Sequence, residues 1–119
     1  MTKALTLAIS LLCLSSGCFA AEIIGAGNTS CGAYVTSYEK DIGGRPMSTM
    51  FDVTWTQGFL TGMNAYKSTA NNGKASLVAL PDSDSIRVYL YKYCRENPTN
   101  AIIYGGAQLF WKLEAEQSK

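Results

Sequence analysis

Ser85 to Pro98 reads SIRVYLYKYCRENP, with three tyrosines, three basic residues and one cysteine before an Asn-Pro step. Ile86, Tyr89, Leu90, Tyr93 and Cys94 recur at spacings of three and four, which is one face of an α-helix. Arg87, Tyr91 and Arg95 fall on another face, with Lys92 beside it. The preceding DSDS, Asp82 to Ser85, supplies N-caps and negative charge at the helix start. Asn97-Pro98 closes this helix and is expected to open the next, with Asn97 as cap and Pro98 in the first turn. A cysteine at the end of such a helix is a metal ligand, a reactive thiol or half of a disulfide. Deciding between these decides the fold.

The N-terminus narrows the choice. MTKALTLAISLLCLSSGCFA has one lysine, Lys3, then an apolar run from Ala4 to Leu14, then small residues. This is the pattern of a secretory signal peptide over residues 1–20, cut after Ala20 for export through the Sec route. The minor alternative is lipid attachment at Cys18. The apolar run is shorter than the roughly 20 residues a membrane-spanning helix needs. Cutting after Ala20 removes Cys13 and Cys18, leaving Cys31 and Cys94. Two cysteines in a small exported chain read as a disulfide. They are too few for a structural zinc site, and the chain has no histidine to complete one. A Cys31–Cys94 bridge would stabilise the fold by about 4 kcal/mol in the chain-entropy view.

The same cut sets the charge. The full chain has ten Lys plus Arg and nine Asp plus Glu. Lys3 is the one charged side chain in residues 1–20, so nine of each sign remain and the chain is formally neutral. Neutrality argues against a nucleic-acid partner, and no further apolar run is long enough for stable membrane insertion.

Elsewhere the helical period repeats. Residues 21–30 are small and glycine-rich and read as a flexible lead-in. Cys31, Tyr34, Val35 and Tyr38 then form one helical face, with Thr29 or Ser30 as cap. Gly43-Gly44 and Pro46 break the chain. A second helix is expected from about Thr49 to Ala70, with Phe51, Trp55, Phe59 and Met63 repeating every four residues. Gly58 and Gly62, beside Trp55 in sequence, are expected to let a neighbouring helix come close. SLVAL before Pro81 forms a short extended or helical piece. A last helix carries Ile102, Ile103, Gly106, Leu109, Phe110 and Leu113 on one stripe. The expected fold is all-α: a small four-helix bundle over residues 31–116, stapled by one disulfide.

Chemistry is sparse. Without histidine, Ser-His and Cys-His nucleophile pairs are excluded. Asp82 and Asp84 are the nearest acidic pair, and they are explained as caps. GAG at Gly25 to Gly27 lacks the context of a phosphate loop, and DSDS lacks the other ligands of a calcium loop. The expectation is no enzyme and no cofactor. Arg87, Tyr91 and Arg95 form a basic-aromatic ladder suited to a protein partner, or else a solvated helix face. Trp55, Phe59, Met63, Phe110 and Trp111 are core or the lining of an apolar pocket. Trp111, next to Phe110, points partly off the buried stripe and is a candidate contact.

CGAYV, WTQGFLTG, YLYKYCRENP and AIIYGGAQLFWKL together resemble two groups of small exported bacterial helical proteins over residues 31–113. One is the HdeA-like periplasmic family; the other is the Tai-type immunity proteins of type VI secretion. The resemblance implies a compact four-helix domain with a Cys31–Cys94 bridge, located in the periplasm. On the HdeA-like side it implies an acid-stress chaperone, a homodimer at neutral pH that opens in acid and holds unfolding clients. On the Tai-type side it implies an inhibitor of one secreted toxin. This chain departs in its low charge, 16%, and its many tyrosines. With carboxylates as its only acid-range groups, any switch falls at roughly pH 4 and below.

Overall fold

The structure is a computed structural model and describes residues 22–44 and 46–119. The leader, its cut after Ala20 and the Cys18 alternative lie outside the described residues. Four helices follow a short 3-10 turn over Gly25–Asn28: α1 (Cys31–Lys40), α2 (Met50–Ala70), α3 (Ser83–Glu96) and α4 (Ile102–Gln117). The all-α class and the Cys31–Cys94 disulfide are as expected.

The caps explain where the helices start. The Ser30 hydroxyl accepts the Ala33 N–H at 3.3 Å, and the Asp82 carboxylate accepts the Ser85 N–H at 2.7 Å. Asn97 does not open α4. It closes α3, its side chain donating to the Tyr93 carbonyl at 2.9 Å. The chain then turns back to the start of α1, where the Cys31 N–H donates to Asn100 O and the Ile102 N–H to Thr29 O. This isolated bridge between Ser30 and Ala101 lets α4 begin at Ile102, four residues later than the Asn-Pro signal suggests.

The helices pack as two pairs, α1 on α3 and α2 on α4, with α3 also touching α2 and α4. The core holds Cys31, Tyr34, Leu60, Ile86, Leu90, Cys94 and Ile102, all essentially without solvent contact. Tyr34 is buried with its hydroxyl donating to Arg87 O at 3.0 Å, which satisfies the one polar atom it brings inside. Burial, reinforced by the nearby Asp52 charge, pushes its phenol far above the ordinary tyrosine range.

α2 differs from expectation in which face it buries. The inward residues are Asp52, Val53, Thr56 and Leu60, while Phe51 is 74% exposed and Trp55 and Phe59 are half-buried. The aromatic repeat lies beside the core rather than in it. Thr56 is tolerated inside because its hydroxyl donates to Asp52 O at 2.8 Å.

The glycines are also corrected. A β-carbon on Gly58 or Gly62 would meet nothing within 4 Å, so neither admits a neighbouring helix. Close approach occurs on α4 instead. A β-carbon on Gly105 would lie 2.7 Å from the Tyr93 ring, and one on Gly106 would lie 3.2 Å from Phe59. YGGA, not GFLTG, is the packing motif.

Residues 22–30 are not a loose lead-in. The 3-10 turn packs on α2 and α4 as a strap. Gly27 is buried against Trp55, whose indole Nε1 donates to Ile24 O at 3.0 Å. The extended connector before α3 is held by two side-chain amides. Asn64 on α2 bonds both the N–H and the carbonyl of Val78, each at 2.9 Å. Gln117 on α4 accepts from Ala79 N and donates to Leu77 O.

Candidate functional site

Two surfaces result from this packing. The first lies between α1 and α3 and contains the basic-aromatic ladder. Tyr38 of α1 stacks on Tyr91 of α3, with ring centroids 4.0 Å apart and planes 13° apart. Arg87 sits over the Tyr38 ring at 4.8 Å, and Arg95 over the Tyr91 ring at 5.7 Å. The four side chains form one stack in the order Arg87, Tyr38, Tyr91, Arg95. Tyr91 also donates to Glu39 at 3.3 Å, and Arg87 lies 3.8 Å from Asp84.

The ladder is therefore largely spent within the chain. Arg87 and Tyr91 are half-buried against α1, and Arg95 is the exposed member. Each cation–π contact contributes about 0.5–1 kcal/mol in such partly exposed settings. The stack fastens α1 to α3 alongside the disulfide. Tyr38 was the missing partner, and its place on the Cys31–Tyr34 face of α1 was the signal for it.

The second surface lies between α2 and α4. Phe59, Met63, Tyr66, Phe110 and Trp111 line an open groove of about 520 Å³, with Gly62 on its α2 side. Tyr66 is 77% exposed and Trp111 59% exposed. At one rim Lys67 and Glu114 pair at 2.7 Å across the two helices. Among the predicted contact residues, Trp111 belongs to this groove, while Arg87, Tyr91 and Arg95 do not line it. Of the five aromatic and methionine residues expected as core or pocket, four line it; Trp55 instead lies under the strap.

The open glycine side explains the groove. Side chains at Gly62 would project into it, and glycine leaves it concave. Phe110 reaches it from the core and Phe59 from beside the core. An exposed apolar concavity of this kind is how soluble domains present a binding surface.

Titratable groups cluster elsewhere. Asp41, at the end of α1, is buried and accepts from Ser48 N at 3.1 Å, Thr49 N at 3.0 Å and the Thr49 hydroxyl at 3.0 Å. Burial acts to raise its pKa, but these donors outweigh it and hold the carboxyl below its ordinary range. Asp52, in the first turn of α2, has the opposite balance. Burial pushes its carboxyl up, and the Thr29 hydroxyl, donating at 2.8 Å, only partly offsets this. Sequence reading passed over both aspartates. The signal for Asp41 was the Ser48-Thr49 pair ahead of α2, which supplies its donors.

Among the described residues no three His, Cys, Asp or Glu side chains gather where they could hold a metal ion. No helix among them is long and apolar enough to cross a membrane. The disulfide, with both sulfurs buried, is compatible with an oxidising, exported compartment. Comparisons with protein-family models, with curated proteins and with solved structures return no match.

Proposed function

We propose that this is a non-enzymatic, periplasmic protein-binding protein, and that the groove between α2 and α4 is its contact surface. The observation that carries the reading is the open aromatic concavity containing Trp111, Tyr66 and Phe59 on a disulfide-stapled frame. The first form of the reading is an acid-stress chaperone of the HdeA-like type, acting on unfolding clients. What supports it is Asp41. Its carboxylate ties the end of α1 to the start of α2, and protonation removes the charge that its three donors solvate.

The test is light scattering of a periplasmic extract brought to roughly pH 2–3, below the carboxylate range, with and without the oxidised protein. Suppressed aggregation, lost on reduction of the disulfide, supports the chaperone. An extract that aggregates equally with and without the protein overturns it.

The alternative is a Tai-type immunity protein that blocks one secreted toxin. The observation favouring it is that the groove is already open in the folded, fully packed chain, so binding needs no acid step. It predicts a single tight partner at neutral pH and loss of that complex in Trp111→Ala. Unchanged affinity in Trp111→Ala removes the groove from this reading.

A further inference from the structure

Trp55 and the groove form one track. Trp55 stacks on Phe59, with centroids 5.4 Å apart and planes 10° apart, and Phe59 begins the open groove. The strap covers the Trp55 end of this track. Ile24 gives its carbonyl to the indole N–H. Gly27 lies so close that a β-carbon there would stand 2.2 Å from the Trp55 ring. What sits on Trp55 is therefore bare backbone, from a segment, IIGAGN over residues 23–28, that carries no charge.

Past Phe59 the chemistry continues without a cover. The groove is aromatic, and it has a second indole in Trp111, which donates no hydrogen bond among the described residues. Its two ionic groups, Lys67 and Glu114, are paired with each other. A charged occupant would find no free counter-ion there, whereas an uncharged segment needs none.

We propose that the strap is a built-in example of what the groove binds. The open groove takes a short, uncharged, glycine- or alanine-bearing segment of a partner polypeptide, turned like the strap and laid on α2 and α4 where the strap stops. The track is continuous, and at its other end it already holds such a segment. The volume of about 520 Å³ suits a few residues of this kind. The inference rests on the protein-binding reading and names the chemistry of the partner, but it needs no acid step.

The probe is a synthetic peptide, acetyl-IIGAGN-amide, titrated at neutral pH into the full oxidised chain and followed by NMR shifts of the groove residues. Gly62→Leu is the blocking variant, since a β-carbon there enters open space and leaves the helix intact. Saturable binding is expected at Phe59, Met63 and Trp111. Gly62→Leu should weaken it by about tenfold or more, and an Ala-to-Glu change in the peptide should also weaken it. No saturation at millimolar peptide, or equal binding by Gly62→Leu, overturns the proposal. So does sedimentation of the free protein as a dimer that Gly62→Leu dissociates, because the occupant is then a second copy. The acid aggregation assay is separate, so the chaperone reading stands or falls without this titration.

Discussion

Glycine means opposite things at different places in this chain. At Gly27 and Gly105 a β-carbon would collide with Trp55 and Tyr93, at 2.2 Å and 2.7 Å. At Gly58 and Gly62 it would touch nothing. Gly27→Ala and Gly105→Ala should each destabilise by about 1–3 kcal/mol, the usual cost of overpacking. Gly58→Ala and Gly62→Ala should stabilise by about 0.5–1 kcal/mol, because glycine in a helix interior pays an entropic penalty that alanine avoids. Thermal unfolding separates the two classes, since about 1 kcal/mol moves Tm by roughly 4–8 °C in a domain this small. Gly27→Ala carries a second signature. It should lift the strap and leave the Trp55 indole more accessible to an acrylamide quencher, with Trp111 unchanged as an internal control. If all four variants shift Tm in one direction, the assignment of tight and open glycines is wrong.

At the scale of elements, periodicity located helices better than it oriented them. α2 was expected from about Thr49 and runs from Met50 to Ala70, because a long apolar repeat and the stop at Asn71 are local signals. Its buried face is not legible from hydrophobicity alone, because on this helix the large aromatic side chains are not the most buried. Val53, Thr56 and Leu60 went inside, whereas Phe51 is exposed, Trp55 lies under the strap and Phe59 lines the groove. The strap left no periodic trace at all. Its order comes from Trp55, distant in sequence, and from the Thr29 hydroxyl on Asp52. Likewise the Arg87–Tyr91–Arg95 face was legible, but its occupancy by Tyr38 was a property of α1 packing on α3.

Two elements make predictions of their own. Replacing both Cys31 and Cys94 with Ala should cost about 4 kcal/mol by freeing the long loop between them in the unfolded chain. Urea unfolding with and without a reductant measures the same quantity, and the α1 amides should exchange faster once the bridge is cut. The connector before α3 depends on Asn64. Asn64→Ala leaves the N–H and carbonyl of Val78 without a partner, at about 1–3 kcal/mol. Asn64→Asp should not rescue it, since a carboxylate offers the carbonyl no donor. Wild-type urea midpoints for both variants would show that water replaces the clamp.

For the whole molecule, the carboxylates set how the two helix pairs respond to acid. Asp41 and Asp82 are both held below their ordinary range by hydrogen bonds that outweigh desolvation. Each therefore stabilises the fold above roughly pH 4 and loses that contribution as pH falls through its lowered folded value. Asp52 has the opposite sign. Its folded pKa is raised, so its charge burdens the fold at neutral pH, and the burden lifts as pH falls from the raised value toward the ordinary one. Near these groups lie the Arg87 guanidinium and the Tyr34 phenol, which both aspartates act on and which keeps its proton in acid. Stability should then rise slightly as pH falls from the raised Asp52 value toward the ordinary carboxylate range, and fall below about pH 4. Asp41→Asn should make that fall shallower, because its partners Ser48 and Thr49 no longer face a group that titrates. Asp52→Asn should remove the slight rise and leave the fall. The place of opening also follows from the packing. The bridge and the aromatic stack hold α1 to α3, whereas Asp41 fastens α1 to the start of α2, so acid should loosen that junction first. Hydrogen exchange at pH 3 compared with pH 6 would show early loss of protection at Ser48 and Thr49 while the α3 core amides stay protected. Uniform loss across all four helices would mean that global charge, not Asp41, governs the acid response.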